Sequence, residues 1–315
     1  MRKKCLEMVY ELAKINEKVS FIGSDLSPGL LEEMKKDYPN RFFMEGISEA
    51  NIIGMAAGMA MEGYIPYVNT IATFITRRCY EQVLIDICLH NLPIRLIGNG
   101  GGYVYAPLGP THQAMEDISI MRSIPNMTVV SVCDANEMSK LMIESLNWPL
   151  PMYIRLGKGG DPIVTNEKHN FKIGEAVDIL QENHEDYDLL LITTGILVNL
   201  CIEASEILKK QGFKIKILHF HTIKPLDTNT LLNSLKLSKS ALIVEEHSKV
   251  GGLNAAVFEE IIDNNFYPIP RIRRLGARDD FSPNYGSQQE LLENNGITIE
   301  NILKNFYEMS DSKHG

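Results

Sequence analysis

Short apolar runs alternate with longer amphipathic stretches along the first half of the chain. Residues 3–16 are predicted to form a helix, and the apolar run at 19–23 a strand. Further strands are predicted at 41–45, 66–70, 94–98, 127–132 and 152–155, with helices between several of them. Strands that alternate with helices are typical of an α/β fold. We therefore expect a parallel sheet.

The composition turns polar at about residues 157–186, and we place the connection between two domains there. Beyond it, apolar strands are predicted at 188–193, 214–220 and 240–246, separated by helices at about 197–211 and 228–235. The expected organisation is two three-layer α/β domains. The first covers residues 1–165, a linker covers 166–186, and a smaller domain covers 187–315.

Composition restricts the classes of partner. The 315 residues are 44% hydrophobic and 23% charged, which is ordinary for a globular protein. A formal net charge of −9 argues against nucleic-acid or anionic-membrane binding, so we expect a small-molecule substrate. The five cysteines are widely spaced and indicate neither a disulfide framework nor a zinc site, and no metal ligand is assigned. We expect a cytoplasmic protein, because neither a signal peptide nor a membrane span is evident.

One carboxylate stands out. Glu49 follows the predicted strand at 41–45 and opens a helix at 52–63 that consists mostly of Ala, Gly and Met. Such a helix is expected to be buried on every face, and a buried carboxylate needs a protein partner or a ligand that donates a hydrogen bond. The alternative is a first-turn Glu stabilised by the helix dipole. Glu45, in the preceding strand, is the rival carboxylate.

Four ordered motifs resemble the thiamine-diphosphate enzymes of the transketolase type. They lie at 41–49, 73–74, 109–117 and 122–127, and the resemblance covers nearly the whole chain, as a pyrimidine-binding domain followed by a transketolase C-terminal-like domain. It implies that Glu49 hydrogen-bonds the aminopyrimidine ring of the cofactor and so activates it. It also implies that Phe74 stacks on that ring, although an aromatic at such a position is usually core.

The resemblance assigns two further residues to the cofactor and substrate. His112, in a Gly- and Pro-rich loop, would contact substrate oxygens or shuttle a proton. Asp25 would lie near the cofactor, with an N-cap or turn role as the alternative. Arg77 and Arg78 lie three and four positions beyond Phe74, and the sequence does not decide which faces the site.

Two more residues concern the substrate. Leu108 occupies the place where transketolases carry an Asp that contacts a sugar hydroxyl, so the substrate is expected to differ from a standard pentose or hexose phosphate. Arg155, near a Gly-rich turn, matches the region where related enzymes hold a substrate phosphate, with a solvated strand-end cation as the alternative. The glycine run at 98–102 is rejected as a diphosphate site, because its central residue is Asn99.

The resemblance implies a split enzyme. The chain begins after the point where the diphosphate-binding domain of a full-length transketolase ends, so a partner subunit is expected to hold the diphosphate and Mg²⁺ in a heterotetramer. The expected reaction is transfer of a two-carbon ketol or acyl unit from a ketose or oxo-acid donor to an aldehyde. The alternatives are a decarboxylating deoxyxylulose-phosphate-synthase-like reaction, a 2-oxo acid dehydrogenase β subunit, and a non-catalytic regulatory subunit.

Overall fold

The computed structural model describes residues 1–24, 29, 31–283 and 285–311. Its helices are α1 (Arg2–Ile15), α2 (Glu32–Asp37), α3 (Glu49–Met61), α4 (Tyr80–Gln82), α5 (Asp117–Arg122), α6 (Ala135–Ser145), α7 (Val198–Lys210), α8 (Thr228–Lys236), α9 (Leu253–Asp263), α10 (Gln288–Asn294) and α11 (Ile299–Asp311). Its strands are β1 (Val19–Gly23), β2 (Phe42–Met44), β3 (Ile65–Ile71), β4 (Arg95–Asn99), β5 (Thr128–Ser131), β6 (Met152–Leu156), β7 (Val177–Asp178), β8 (Leu189–Thr193), β9 (Ile215–His219), β10 (Thr222–Lys224), β11 (Ser240–Ser248) and β12 (Arg271–Ala277).

Within these residues the first sheet has seven strands, in the order β10-β5-β6-β4-β3-β1-β2. The pairs among β1 to β6 are all parallel. Every residue of β1, β4 and β6 is buried, as expected of strands covered on both faces. The predicted α/β class is confirmed.

The second sheet has the order β12-β11-β8-β9-β7 over the described part of the chain. Strands β8, β9, β11 and β12 run parallel, and β7 adds to the edge in the antiparallel direction. β7 lies inside the predicted linker, where a two-residue strand gives no periodic signal. The domain bounds given above stay a prediction.

The two halves share a sheet. β10 belongs to the second half of the chain but pairs antiparallel with β5 at the edge of the first sheet, with an irregular register between Thr222 and Lys224. The backbone N–H of Ser131 also donates to the carbonyl of His221, at 2.7 Å. Backbone hydrogen bonds therefore join the two halves directly.

Helix α3 differs from its prediction. Ile52, Ala56 and Ala60 are buried, but Gly54 and Gly58 on another face are exposed in this single chain. The expectation of burial on every face is therefore wrong for the chain by itself. Across the described residues, no helix is both long enough and apolar enough to cross a bilayer.

Candidate active site

Glu49 lies at the start of α3, directly after the turn that follows β2. Its side chain is only 3% exposed. Its position in the first turn of the helix is one where the helix dipole favours a negative charge. The Arg78 guanidinium donates from Nη1 to Glu49 Oε2 at 2.7 Å. The buried carboxylate is thus paired with a cation whose side chain is 46% exposed.

Arg78 and Phe74 belong to the same π-helical segment, Phe74–Arg78, which follows β3. Single π-helical turns occur often at functional sites. The Arg78 guanidinium carbon lies 4.1 Å from the centroid of the Phe74 ring. Arg78 therefore contacts both the carboxylate and the aromatic ring that the resemblance assigns to the cofactor.

His112 completes this group. Its ring lies edge-on to Phe74 with centroids 5.2 Å apart, and its Nδ1 is hydrogen-bonded to Thr111 Oγ1 at 2.9 Å. Burial, followed by the Arg77 and Arg78 guanidinium groups, holds the pKa of His112 below its ordinary value. Both effects favour the neutral imidazole, which is hydrogen-bonded through Nδ1.

The two arginines have different partners. Arg78 contacts Glu49, whereas Arg77 pairs from Nε with Glu116 at 3.0 Å and donates from Nη2 to the carbonyl of Thr111 at 3.2 Å. Arg77 thus supports the loop that carries His112. α-Helical spacing could not separate the two residues, because the π-helical turn changes the register.

Leu108 ends a short 3₁₀ turn, Ala106–Leu108, and is 52% exposed. A single exposed leucine is common on protein surfaces, so this exposure alone assigns no role to Leu108. Asp25 lies outside the described residues, so its predicted role has no structural account.

Arg155 lies inside the protein. It is 6% exposed, its Nε donates to Asp117 Oδ2 at 2.8 Å, and its Nη2 donates to the carbonyls of Glu246, at 2.8 Å, and Ala114, at 3.3 Å. Asp117 belongs to the first half of the chain and Glu246 to the second. These contacts favour an interdomain structural role for Arg155 over phosphate binding.

The glycine run after β4 also packs between the halves. Gly102 has φ +65°, and the adjacent Tyr103 N–H donates to Glu246 Oε1 at 2.9 Å. Gln288 Nε2 donates to the same oxygen at 2.7 Å. Burial raises the pKa of Glu246 above its ordinary value. The backbone of this run therefore lies close to the buried Glu246 carboxylate, which is possible because glycine has no side chain.

A cavity of about 440 Å³ lies beside the His112 loop. Arg77, Gln113 and Glu116 line it from the first half, and Arg278 and Phe281 from the second. Among the described residues, Gln113 Nε2 is buried without a hydrogen-bond partner. The sequence alone assigns no role to Gln113 or Arg278. The two residues are far apart in the chain and come to one cavity only because the two halves pack together.

Two family models match the chain. "Transketolase, pyrimidine binding domain" matches residues 1–160, and "Transketolase, C-terminal domain" matches residues 178–302. The chain belongs to the transketolase family. Its two domains, in this order, are those of the C-terminal subunit of a split transketolase-like enzyme.

Relatives of known activity agree with this organisation. The chain is 31% identical over 315 residues, 100% of its length and 95% of the relative's, to a 6-deoxy-6-sulfo-D-fructose transketolase subunit of Clostridium sp. (strain MSTE9). It is 30% identical over 305 residues, 96% of its length and 95% of the relative's, to an apulose-4-phosphate transketolase subunit of Phocaeicola vulgatus. A solved structure described as "Split gene transketolase, inactive beta4 tetramer" is 31% identical with a TM-score of 0.87, covering 98% of this chain and 97% of that one.

Proposed function

We propose that this chain is the cofactor-activating subunit of a two-component, thiamine-diphosphate-dependent transferase. It moves a two-carbon ketol or acyl unit from a ketose or oxo-acid donor to an aldehyde acceptor. The observation that carries the proposal is the contiguous group of Glu49, Arg78, Phe74 and His112. Three ordered sequence motifs supply Glu49, Phe74 and His112, and the relatives described above are transketolase subunits.

The residues present fit the aminopyrimidine part of the cofactor. Glu49 is a buried carboxylate whose protein partner approaches from the solvent side, and Phe74 offers a half-buried ring face nearby. Glu49 would hold the ring nitrogen and Phe74 would stack on the ring, since an aromatic face makes that contact without a hydrogen bond. Thiamine diphosphate, when bound, supplies the carbanion chemistry. Asp25 remains a proposed cofactor contact.

His112 would act on the substrate. Its Nδ1 is held by Thr111, which fixes the ring and directs Nε2 elsewhere. A neutral imidazole can accept a proton from a substrate hydroxyl and return it to a developing alkoxide, and the lowered pKa of His112 favours that neutral form. Arg77 would hold the loop in place through Glu116 and Thr111.

The substrate is proposed to be a modified ketose. Leu108 cannot form a hydrogen bond with a sugar hydroxyl. A site without that hydrogen bond no longer prefers substrates that carry the hydroxyl over substrates that lack it. By their descriptions, the two relatives named above are transketolase subunits for 6-deoxy-6-sulfo-D-fructose and apulose 4-phosphate. A panel of ketose donors, with ordinary and modified carbon skeletons, tests this choice. Equal rates with ordinary ketose phosphates would contradict it.

A partner subunit with a diphosphate-binding domain is proposed to hold the diphosphate and Mg²⁺, in a heterotetramer with two copies of each chain. Calorimetric titration of thiamine diphosphate with magnesium, into this chain alone and into its mixture with the product of the neighbouring reading frame, tests the arrangement. Binding only by the mixture is the expected result. Full-strength binding by this chain alone would rule out a shared site.

Glu49→Gln is the decisive variant. We expect it to reduce turnover of the assembled enzyme at least ~10³-fold, because the amide cannot act as the carboxylate does, while assembly is unchanged. Glu45→Gln is the matched control, since Glu45 is exposed and lies four residues earlier. A Glu49→Gln complex with wild-type turnover, or an equal loss in both variants, would refute the assignment.

One specific observation favours a second candidate. The chain is 33% identical over 305 residues to 1-deoxy-D-xylulose-5-phosphate synthase of Halothermothrix orenii, covering 95% of this chain but 47% of that protein. A decarboxylating condensation of an oxo acid with an aldehyde would then be the reaction. Carbon dioxide release that depends on pyruvate would support this candidate, and ketol transfer from a ketose without gas release would exclude it.

A further inference from the structure

A second group of reactive side chains lies away from the Glu49 site. Cys133, Glu137 and His219 offer one sulfur, one oxygen and one nitrogen ligand atom, all within 4.8 Å of one another. Their exposures are 2%, 2% and 0%. Neither the proposed reaction nor the family comparison uses these residues.

The local structure holds the three side chains in place. Cys133 lies between β5 and the N-cap of α6, and Glu137 is in the first turn of that helix. Asp134 caps the helix by accepting from Glu137 N at 2.9 Å, and it also accepts from Val164 N and Thr165 N. His219 ends β9 in the second sheet. The group is therefore rigid and joins the two domains.

A hydrogen-bonded pair does not account for the whole group. Glu137 Oε2 accepts from His219 Nε2 at 2.9 Å and from Cys133 N at 2.7 Å. Over the described residues, however, Glu137 Oε1 and His219 Nδ1 are buried without a hydrogen-bond partner. Leaving buried polar atoms unpaired costs about 1–3 kcal/mol each, so the hydrogen bonds within the protein leave part of this group unsatisfied.

The donor set and spacing match a borderline-soft divalent cation. Thiolate, imidazole and carboxylate are the ligands that zinc takes in proteins, and magnesium and calcium prefer oxygen alone. Two ligands bound about 2.0–2.1 Å from a tetrahedral zinc ion lie roughly 3.3 Å apart. Glu137 Oε2 and His219 Nε2 are 2.9 Å apart, so an ion that replaces their hydrogen bond needs to separate them only slightly. Small movements of three side chains would complete three corners of a tetrahedron.

A cavity reaches the group at one of its members, Cys133. Cys133 lines a cavity of about 480 Å³ whose wall carries further carboxylates, among them Asp161, Glu203 and Glu293. This acidic wall would attract a cation, and the cavity leaves room for water at a fourth ligand position. Burial raises the pKa of the Cys133 thiol well above its ordinary value. Burial also acts to raise the pKa of Glu137, but the neighbouring His219 outweighs it and lowers that pKa to about 2.

We propose that Cys133, Glu137 and His219 form a binding site for a zinc-like divalent cation, which clamps the first domain to the second. The ion forms a bond to the Cys133 sulfur, whose proton leaves to solvent, so that metal binding releases one proton from this residue. The site is separate from the proposed magnesium of the diphosphate, which would belong to the partner. It stands whether or not the proposed transferase reaction is correct.

Cobalt is the probe, because a cobalt–thiolate bond has a charge-transfer band that oxygen and nitrogen ligands do not give. The full chain, freed of metal with a chelator, is titrated with Co²⁺ and then with Zn²⁺. We expect a thiolate band that saturates at one equivalent and disappears when zinc replaces cobalt. The variant Cys133→Ser should lose the band, and His219→Gln should weaken binding at least ~10-fold.

Cys201→Ser is the matched control, because Cys201 is equally buried but belongs to α7, outside the group. It should keep the band. Absence of a band in the wild-type chain, or its retention in Cys133→Ser, would overturn the proposal. If Cys133→Ser does not fold, the rate at which a thiol reagent modifies Cys133 in the wild-type chain decides. Slower modification with zinc supports the site, and an unchanged rate overturns it.

Discussion

The ion pair between Arg78 and Glu49 should make a measurable contribution to stability before any ligand binds. Nη1 and Oε2 are 2.7 Å apart, so the centres of charge lie about 4 Å apart. At an effective dielectric constant of about 20, two unit charges at that distance attract by about 4 kcal/mol. The Arg78 side chain is 46% exposed, so solvent screens the attraction. Screening and the side-chain entropy lost in the pair together reduce the net contribution to about 1–2 kcal/mol.

A double-mutant cycle with Arg78→Gln and Glu49→Gln isolates this quantity. Arg78→Gln alone also removes the contact with the Phe74 ring, worth ~0.5–1 kcal/mol, so its total effect should be about 1.5–3 kcal/mol. The cycle subtracts that contact and should give a coupling energy of about 1–2 kcal/mol. The assay is denaturant unfolding of the cofactor-free chain at one fixed concentration, since self-association changes apparent stability.

Arg77 and Glu116 provide the matched control cycle. Their atoms are 3.0 Å apart, but the side chains are 39% and 36% exposed. Exposed pairs contribute little, and we expect a coupling energy below about 0.5 kcal/mol. If the Arg78–Glu49 coupling is no larger than that of the control pair, burial of Glu49 does not strengthen the interaction and the reasoning fails.

Three further predictions concern other residues. Arg77→Gln should raise the pKa of His112, measured by NMR titration, because after burial this guanidinium is a main cause of the lowered value. An unchanged or lower pKa would contradict that cause. Gly102→Ala should destabilise the chain by at least ~2 kcal/mol, because its Cβ would lie 2.6 Å from a buried carboxylate oxygen at φ +65°. The control Gly54→Ala, an exposed helix position with no described heavy atom within 4 Å of the added Cβ, should be neutral or stabilising in the isolated chain, and equal losses of stability would refute the clash. Leu108→Asp should shift selectivity toward ordinary ketose phosphates at unchanged stability, and an unchanged substrate panel would refute its role.

The sequence predicted the α/β class and several strands because those strands are apolar runs bounded by turn residues. β8, for example, was predicted at 188–193 and is observed at Leu189–Thr193. β10 and β7 were missed, since strands of three and two residues give no periodicity and their pairing partners are distant in sequence.

The candidate site shows a similar division. Ordered motifs indicated Glu49, Phe74 and His112. In the structure Arg78 contacts both Glu49 and Phe74, and the Phe74 ring contacts His112. Their catalytic roles stay a prediction. The choice of Arg78 over its neighbour depended on a π-helical turn, which sequence spacing does not encode.

The proposed metal-binding group could not be predicted from the sequence for another reason. Glu137 and His219 are 82 residues apart and belong to different domains. The spacing of ligands along a chain can indicate a zinc site only when the ligands come from one short segment.

The pairing of β10 with β5 has a consequence for synthesis of the protein. A ribosome that has made every residue of the pyrimidine-binding domain has not yet made Thr222–Lys224, so β5 emerges with an open edge. Open strand edges recruit other strands, including those of neighbouring nascent chains. The amino-terminal sheet therefore gains its last strand only after translation has passed into the second domain, and a gene cut between the domains would leave the edge of β5 unpaired.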